Sequence, residues 1–236
     1  MSRPKGKLIS IALLTVIFAF LLYQFGLFVM VIWLKFHNPN TSAFMRNTLT
    51  QLQAEQTDAQ IIHKWVPYDK ISTNLKRAVV ASEDSNFINH HGVEWEAIRR
   101  AWEYNLRMAE SGSERVRGGS TITQQLAKNL FLSSDRSYWR KAQELLLTFM
   151  LEAVLSKQRI LELYLNIAQW GKNVFGAQAA AEHYFKRNAE QLTATQSARM
   201  AAMLPNPVYY DKRGNTRYLQ SRTRTLLQRM RLVEVP

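Results

Sequence analysis

The feature that most constrains this chain is an uncharged apolar run near its start. Residues 8–34 carry no charged side chain, and only Ser10, Thr15, Gln24 and Gly26 interrupt the run. About 20 apolar residues span a bilayer core, so the run is long enough to cross a membrane with some tilt. A cleaved signal peptide would have an apolar region of only about 7–15 residues, followed by a small-residue cleavage site. We therefore predict an uncleaved transmembrane helix over residues 8–34.

The basic residues around this run predict its orientation. They concentrate in the tail 1–7, whereas Lys35 follows the run and Arg46 is the next basic residue. Positively charged flanks stay on the cytoplasmic side of a membrane. The tail is therefore expected in the cytoplasm, and the rest of the chain is expected to be exported.

Composition narrows the classes of partner and of chemistry. The chain has 31 Lys and Arg against 18 Asp and Glu, a formal net charge of +13. A basic, exported domain beside a membrane is expected to meet anionic lipid or a phosphorylated substrate, and no motif points to nucleic acid. The chain has no cysteine, which excludes disulfides, thiol nucleophiles, iron–sulfur clusters and cysteine-ligated zinc. With 47% hydrophobic residues, it can bury a core.

Beyond the apolar run, the chain divides into a polar juxtamembrane linker over residues 35–59, a domain over 60–210 and a basic helix within 211–236. Helical periodicity dominates the domain, which predicts a mostly α fold. Residues 138–155 are strongly apolar and are predicted to form a helix central to the core. The arginines of the basic helix are expected to face anionic lipid or solvent: Arg222, Arg224, Arg229 and Arg231.

The segment Gly118–Asn129 joins two glycines to the start of a predicted helix, with Ser120 or Thr121 as the expected N-cap. The unpaired N–H groups of a helix N-terminus suit an anion, and Lys128 lies about two turns along to add a positive charge. The alternative is a glycine turn followed by a polar surface helix.

A second cluster places Glu83 and Asp84 at the end of an apolar helix, followed by Phe87, His90 and His91. A partly desolvated carboxylate at this position suits a general base. The alternative is an exposed helix end with a solvated acid pair. A zinc site is not expected, because adjacent histidine side chains diverge and no third ligand lies at helical spacing.

A third cluster surrounds one acid with three cations, since Arg136, Arg140 and Lys141 precede Glu144. Spacing of this kind is most often a surface ion pair. Alternatively, the cations hold an anionic leaving group, and Glu144 positions that group or a metal. The segment Lys157–Asn166 carries an apolar stripe and is predicted to be structural.

Taken in order, these segments resemble the glycosyltransferase family 51 domain of peptidoglycan synthesis. The resemblance covers about residues 60–210. Five motifs that follow one another in the family's order make the resemblance highly specific. The matching motifs are EDxxFxxHxG at Glu83–Gly92, GGSTITQQLAKN at Gly118–Asn129, RKxxE at Arg140–Glu144, KxxILELYLN at Lys157–Asn166, and the segment from Asn173 to Phe185.

The resemblance implies a mostly α, lysozyme-like fold with a smaller membrane-facing lobe, preceded here by the N-terminal transmembrane helix. It implies polymerisation of lipid II into glycan strands with release of undecaprenyl pyrophosphate, on the periplasmic side of a bacterial inner membrane. The stretch after Pro205 is too short for the transpeptidase domain of bifunctional relatives, so the monofunctional form is expected. The helix from Glu94 to Met108 falls where the family has its membrane-dipping lobe, and a core helix is the alternative.

The resemblance also implies roles for the motif residues. Glu83 corresponds to the general base, and Glu144 to a second glutamate that assists the donor pyrophosphate directly or through a divalent metal. No cofactor is expected to be obligatory, and Mg²⁺ or Mn²⁺ at Glu144 is the one candidate. The expected phosphate-binding cations are Lys128, Arg136, Arg140 and Lys141. The other expected substrate-binding residues are Asp84, Phe87, His90, Ser120, Thr121, Gln124, Gln125 and Asn129.

The implied partners are lipid II, the growing glycan, membrane lipids and proteins of cell-wall synthesis or division, with no nucleic acid. Two other functions stay open at this point. A lytic, glycan-cleaving enzyme on a lysozyme-like fold would use an acid–base glutamate without needing the cation cluster. A non-catalytic scaffold for cell-wall synthesis would need neither glutamate.

Overall fold

The computed structural model describes residues 4–113, 118–132 and 137–236. The chain separates into two compact units, residues 1–37 and residues 38–236. Helix α1 (Pro4–Leu34) makes up most of the first unit. Its segment Lys7–Leu34 is long and apolar enough to cross a membrane, and at 1.5 Å per residue it is about 42 Å long. Large apolar side chains are exposed along this helix, as at Leu13, Phe18 and Phe25, which fits membrane anchoring.

The second unit is mostly helical in the part that the structure describes, as predicted. Its only strands there are β1 (Ile62–His63) and β2 (Val174–Phe175), which pair in parallel with Ile62 opposite Val174. The helices in chain order are α2 (Ala43–Glu55), α3 (Thr73–Glu83), α4 (Trp95–Glu110), α5 (Ile122–Phe131), α6 (Tyr138–Val154), α7 (Lys157–Ile167), α8 (Ala177–Phe185), α9 (Ala194–Met203), α10 (Pro207–Arg213) and α11 (Arg217–Arg229).

The core of this unit is built around α7. Its side chains from Ile160 to Ile167 are buried except for Glu162. Residues 138–155 were expected to form a helix central to the core, but α6 buries only one face and leaves Leu146 and Phe149 exposed. Apolar content alone therefore misplaced the core helix, because it does not show which face a neighbour covers.

Two groups of helices pack together to position the motif residues. Helices α9 and α11 pack against α3, while α6 and α7 pack against α5. A buried hydrogen bond joins the groups, because the backbone N–H of Ile122 at the start of α5 donates to Asp84 at the end of α3. The motifs that end α3 and begin α5 are thereby fixed against each other.

Helix α4 differs from the others in how little of it is buried. Ala101 is its only buried residue, while Trp95, Trp102 and Leu106 are exposed. Helix α4 contacts the start of α5 at Gly119, where an added Cβ would lie 3.0 Å from the Ile98 Cα. Helix α4 is therefore not a core helix, which was the alternative for the segment from Glu94 to Met108.

Candidate active site

Glu83 ends α3 with a half-buried carboxylate. The Ser82 hydroxyl donates to Glu83 Oε1 at 2.9 Å, and the Gln125 amide nitrogen donates to Oε2 at 3.1 Å. Within the described residues, no cation forms an ion pair with this carboxylate. A carboxylate offers about four acceptor positions, so a substrate hydroxyl still finds acceptor capacity here.

A buried tyrosine fixes the amide that contacts Glu83. The Tyr164 hydroxyl donates to Gln125 Oε1 at 3.0 Å, which leaves the Gln125 NH₂ group to face Glu83. Burial raises the pKa of Tyr164 well above its ordinary value, and the nearby charges of Glu83 and Asp84 raise it further. The phenol therefore stays protonated and remains a donor. The sequence analysis assigned this tyrosine to an apolar stripe and missed the contact.

Asp84 has its acceptor positions filled by the protein itself. Its carboxylate contacts His90 Nε2 at 2.9 and 3.0 Å and accepts the Ile122 N–H at 3.0 Å. The Gly92 N–H donates to His90 Nδ1, so Nδ1 is the acceptor and Nε2 carries the proton that Asp84 accepts. Asp84 and His90 thus act together to hold the end of α3 at the N-terminus of α5, where negative charge is favourable.

Gly92 is the point at which this arrangement requires glycine. Its φ is +88°, and an added Cβ would lie 2.7 Å from Thr148 Cγ2. Its carbonyl accepts the Thr121 hydroxyl at 2.6 Å. Residues 90–92 are therefore packed against both the start of α5 and α6.

Several residues predicted to bind substrate have their groups engaged inside the protein. Thr121 and Gln124 form the capping box of α5, in which each side chain bonds the backbone of the other. Phe87 is fully buried, and its ring packs against His90 and below the Lys157 ammonium. Thr121 and Phe87 have their hydroxyl and ring covered by the protein, whereas Gln124 uses only its amide oxygen in the capping box.

The remaining predicted residues vary in exposure. Ser120 is exposed just before α5, whereas Asn129 is buried within it. Ser120, Gln124 and Lys141 line an open cavity of about 270 Å³ that α4 borders with Trp102. Arg136 lies outside the described residues.

Glu144 has surroundings opposite to those of Glu83. It is buried in α6, and both of its carboxylate oxygens face cations. Arg140 Nη1 donates to Oε2 at 2.8 Å, and the Lys141 ammonium donates to Oε1. Because both oxygens are already paired, this site does not fit a divalent cation in the arrangement seen here, and no group of three His, Asp or Glu residues in the described parts is placed to hold a metal.

Lys128 lies between the two glutamates. Its ammonium makes no hydrogen bond or ion pair with any described residue. Burial lowers the pKa of Lys128; Glu144 opposes this, Arg140 and Lys141 lower it further, and Glu83 raises it. A half-buried cation without a partner costs folding free energy, and such groups concentrate at functional sites.

Comparisons with known proteins identify the family of this chain. A family model described as Transglycosylase matches residues 48–231. A biosynthetic peptidoglycan transglycosylase of Bordetella pertussis is 57% identical over 230 residues, covering 98% of this chain and 95% of that protein. A protein of the same name from Herminiimonas arsenicoxydans is 52% identical over 230 residues, covering 98% of each chain. Another from Chromobacterium violaceum is 50% identical over 236 residues, covering 100% of each chain.

The family model covers most of the chain, and the relatives cover nearly all of it. The matched region contains both glutamates, the cation cluster around them and the helices that hold them. The described fold is mostly helical, as expected of a lysozyme-like transglycosylase domain. This protein is therefore an enzyme of the transglycosylase family of glycosyltransferases.

Proposed function

We propose that this peptidoglycan transglycosylase polymerises lipid II into glycan strands and releases undecaprenyl pyrophosphate, with Glu83 as general base. The observation that carries the proposal is the placement of Lys128, a half-buried cation that pairs with no described residue and that both Glu83 and Glu144 influence. A charge held in this way suits a ligand that brings negative charge, and a pyrophosphate between the two glutamates does so.

In the proposed step, the C4 hydroxyl of the acceptor sugar attacks C1 of the donor. Glu83 accepts the hydroxyl proton as the new C1–O bond forms. The bond from C1 to the phosphate oxygen breaks, and the pyrophosphate leaves with the electron pair. Ser82 and Gln125 hold the carboxylate with one neutral donor on each oxygen, which orients it for proton transfer.

The leaving pyrophosphate gains negative charge as this bond breaks. Lys128, Arg140 and Lys141 supply three positive charges near Glu144, which offsets one of them. Positive groups fixed in advance stabilise developing charge more than mobile water does, because they need no reorganisation. No step requires a metal, and Glu144 serves to hold Arg140 and Lys141 in place.

Helix α4 supports a membrane-facing role for the lobe to which it belongs. Its exposed Trp95, Trp102 and Leu106 accompany the exposed Tyr138 and Trp139 at the start of α6. Apolar and aromatic side chains exposed beside basic ones suit the headgroup region of a bilayer. Brominated lipids in proteoliposomes should quench tryptophan fluorescence less when Trp95 and Trp102 are replaced by Phe; equal quenching would argue against this role.

We further propose a single-pass protein of the bacterial inner membrane, with α1 as the anchor and the catalytic domain on the periplasmic side. The basic tail before α1 supports this orientation. Protease added to the outside of spheroplasts should cleave the domain. Protection of the domain in intact spheroplasts would reverse the assigned orientation.

The experiment that tests the proposed function is polymerisation of labelled lipid II by the detergent-solubilised full chain, wild type beside Glu83→Gln. The variant keeps the size of the side chain and removes the base, so we expect glycan strands from the wild type and a loss of at least about 10³-fold in the variant. Near-normal turnover by Glu83→Gln would contradict the assignment. Fragments formed from purified glycan strands would instead favour a lytic enzyme, and a folded protein inert in both assays would favour a scaffold.

A further inference from the structure

A half-buried arginine lies behind Glu83, on the helix that the sequence analysis expected to face lipid or solvent. Arg222 of α11 points its guanidinium at α3, where Nη2 donates to the Ser82 hydroxyl oxygen at 3.1 Å. Its Nε is buried and has no hydrogen-bond partner. No carboxylate in the described parts of the chain forms an ion pair with it.

Ser82 connects this cation to the catalytic carboxylate. A guanidinium only donates, so the Ser82 oxygen must accept from Arg222, and the single hydroxyl proton is left to point elsewhere. Two acceptors lie within reach, Glu83 Oε1 at 2.9 Å and the Ala201 carbonyl at 3.3 Å. The shorter contact is to Glu83. A chain of two hydrogen bonds therefore runs from a positive charge to one oxygen of the general base.

The other groups around Glu83 do not replace this contact. Gln125 is neutral and holds only the second oxygen. Asp84, the neighbour in the chain, has its carboxylate bound by His90 and Ile122. The Tyr164 phenol of α7 is neutral, as its raised pKa requires. Lys128 of α5 acts from the side of the leaving group, and in the described parts of the chain α9 contacts Ser82 through the Ala201 carbonyl.

We propose that Arg222 is a positioning residue for catalysis: acting through Ser82, it holds the Glu83 carboxylate in one orientation. The proposal rests on the proposed function, in which Glu83 is the general base. It also explains why a guanidinium is half-buried without a counter-ion, since a cation in such a place is costly unless an anion lies nearby. Here that anion is Glu83, one hydroxyl away.

The effect of this contact should appear in kcat and not in KM. A carboxylate that is no longer held in one orientation accepts the hydroxyl proton less often, whereas the groups that bind the donor are unchanged. Removing Arg222 should therefore slow turnover while substrate binding stays close to that of the wild type.

The experiment measures kcat and KM for lipid II separately for the full-length wild type, Arg222→Gln and Ser82→Ala. We expect both variants to lower kcat about tenfold, with little change in KM. The double variant should resemble the single ones, because the two residues act in series. Arg222→Lys should restore part of kcat.

Arg224→Gln is the matched control, since Arg224 is an exposed arginine of the same helix and its loss removes the same charge. Its kcat should stay close to the wild-type value. An unchanged kcat in folded Arg222→Gln and Ser82→Ala would overturn the proposal, as would an equal loss of kcat in Arg224→Gln. If Arg222→Gln does not fold, Ser82→Ala alone decides. Failure of the proposed function is seen separately, as activity retained by Glu83→Gln.

Discussion

The two glutamates of the site are held in opposite ways. Glu83 is half-buried and receives one neutral donor on each oxygen, whereas Glu144 is buried and receives a cation on each oxygen. The first carboxylate keeps acceptor capacity, while the second has its charge offset by two neighbouring cations. In the proposed function, the same side chain therefore serves as a base in one place and as a support for positive charge in the other, and its contacts decide which.

Lys128 is influenced by both glutamates, and after Glu83 its removal should have the largest effect on turnover. It forms no ion pair with any described residue, so it is available to bind the donor pyrophosphate. We expect Lys128→Ala to lower kcat/KM by about 10²-fold or more and to weaken donor binding as well. Steady-state kinetics with lipid II measure both.

A matched control separates this effect from general loss of charge. Lys212 is an exposed lysine in α10, and Lys212→Ala should leave kcat/KM close to the wild-type value. Burial lowers the pKa of Lys128, which means that its charged form is less favourable in the folded protein. The free energy of unfolding of Lys128→Ala should therefore not fall below that of the wild type. Unchanged kinetics in Lys128→Ala would remove the phosphate site from the proposal.

The contrast between the glutamates also predicts different effects on stability. Glu144→Gln leaves Arg140 and Lys141 without their counter-ion, and we expect it to lower the free energy of unfolding by about 1–3 kcal/mol. This expected loss of stability is smaller than for a fully buried ion pair because Lys141 is about half exposed. Glu83→Gln breaks no ion pair and should change stability much less. Chemical denaturation of the detergent-solubilised proteins measures both.

The exposed pair Lys70–Glu190 provides the control for this prediction. Both side chains are more than half exposed, so Glu190→Gln should change the free energy of unfolding by less than about 0.5 kcal/mol. Equal losses in Glu144→Gln and Glu83→Gln would mean that the two carboxylates are not held as differently as their contacts indicate.

Lys128 also predicts the alkaline side of the pH profile. Its pKa is lowered, so it loses its charge at a lower pH than an ordinary lysine, and the rate should fall as the pH rises through that value. Arginine stays charged throughout, so Lys128→Arg should move the alkaline limb of kcat/KM to higher pH. An alkaline limb that stays in place would assign that limb to another group.

Local sequence was enough to predict the start of several helices. The capping box of Thr193 and Gln196 opens α9, Ser156 caps α7, and Thr121 is the N-cap of α5. These features depend on residues only three positions apart, so they can be read directly from the chain. The motif pattern likewise predicted the family, because its residues recur at fixed spacing.

Contacts between distant segments could not be predicted in this way. The Arg222–Ser82 bond joins residues 140 positions apart, and the Tyr164–Gln125 bond joins residues 39 apart. Periodicity showed an arginine on a basic helix and a tyrosine on an apolar stripe, but not which neighbour each would meet. The same limit applies to Thr121, whose role as an N-cap could be predicted from the sequence while the burial of its hydroxyl could not.

The smallest expected effect belongs to Tyr164→Phe. This variant tests whether Tyr164 orients the Gln125 amide that donates to Glu83. Loss of the hydroxyl removes the bond to Gln125 Oε1 and lets the amide turn its oxygen toward the carboxylate. We expect kcat to fall about three- to tenfold with little change in KM, and stability to fall by about 1 kcal/mol. Tyr184→Phe is the control, because that phenol bonds Trp170 and Asp211 away from the site. It should lose similar stability and keep its rate, whereas equal loss of rate in both variants would show that Tyr164 acts only through folding.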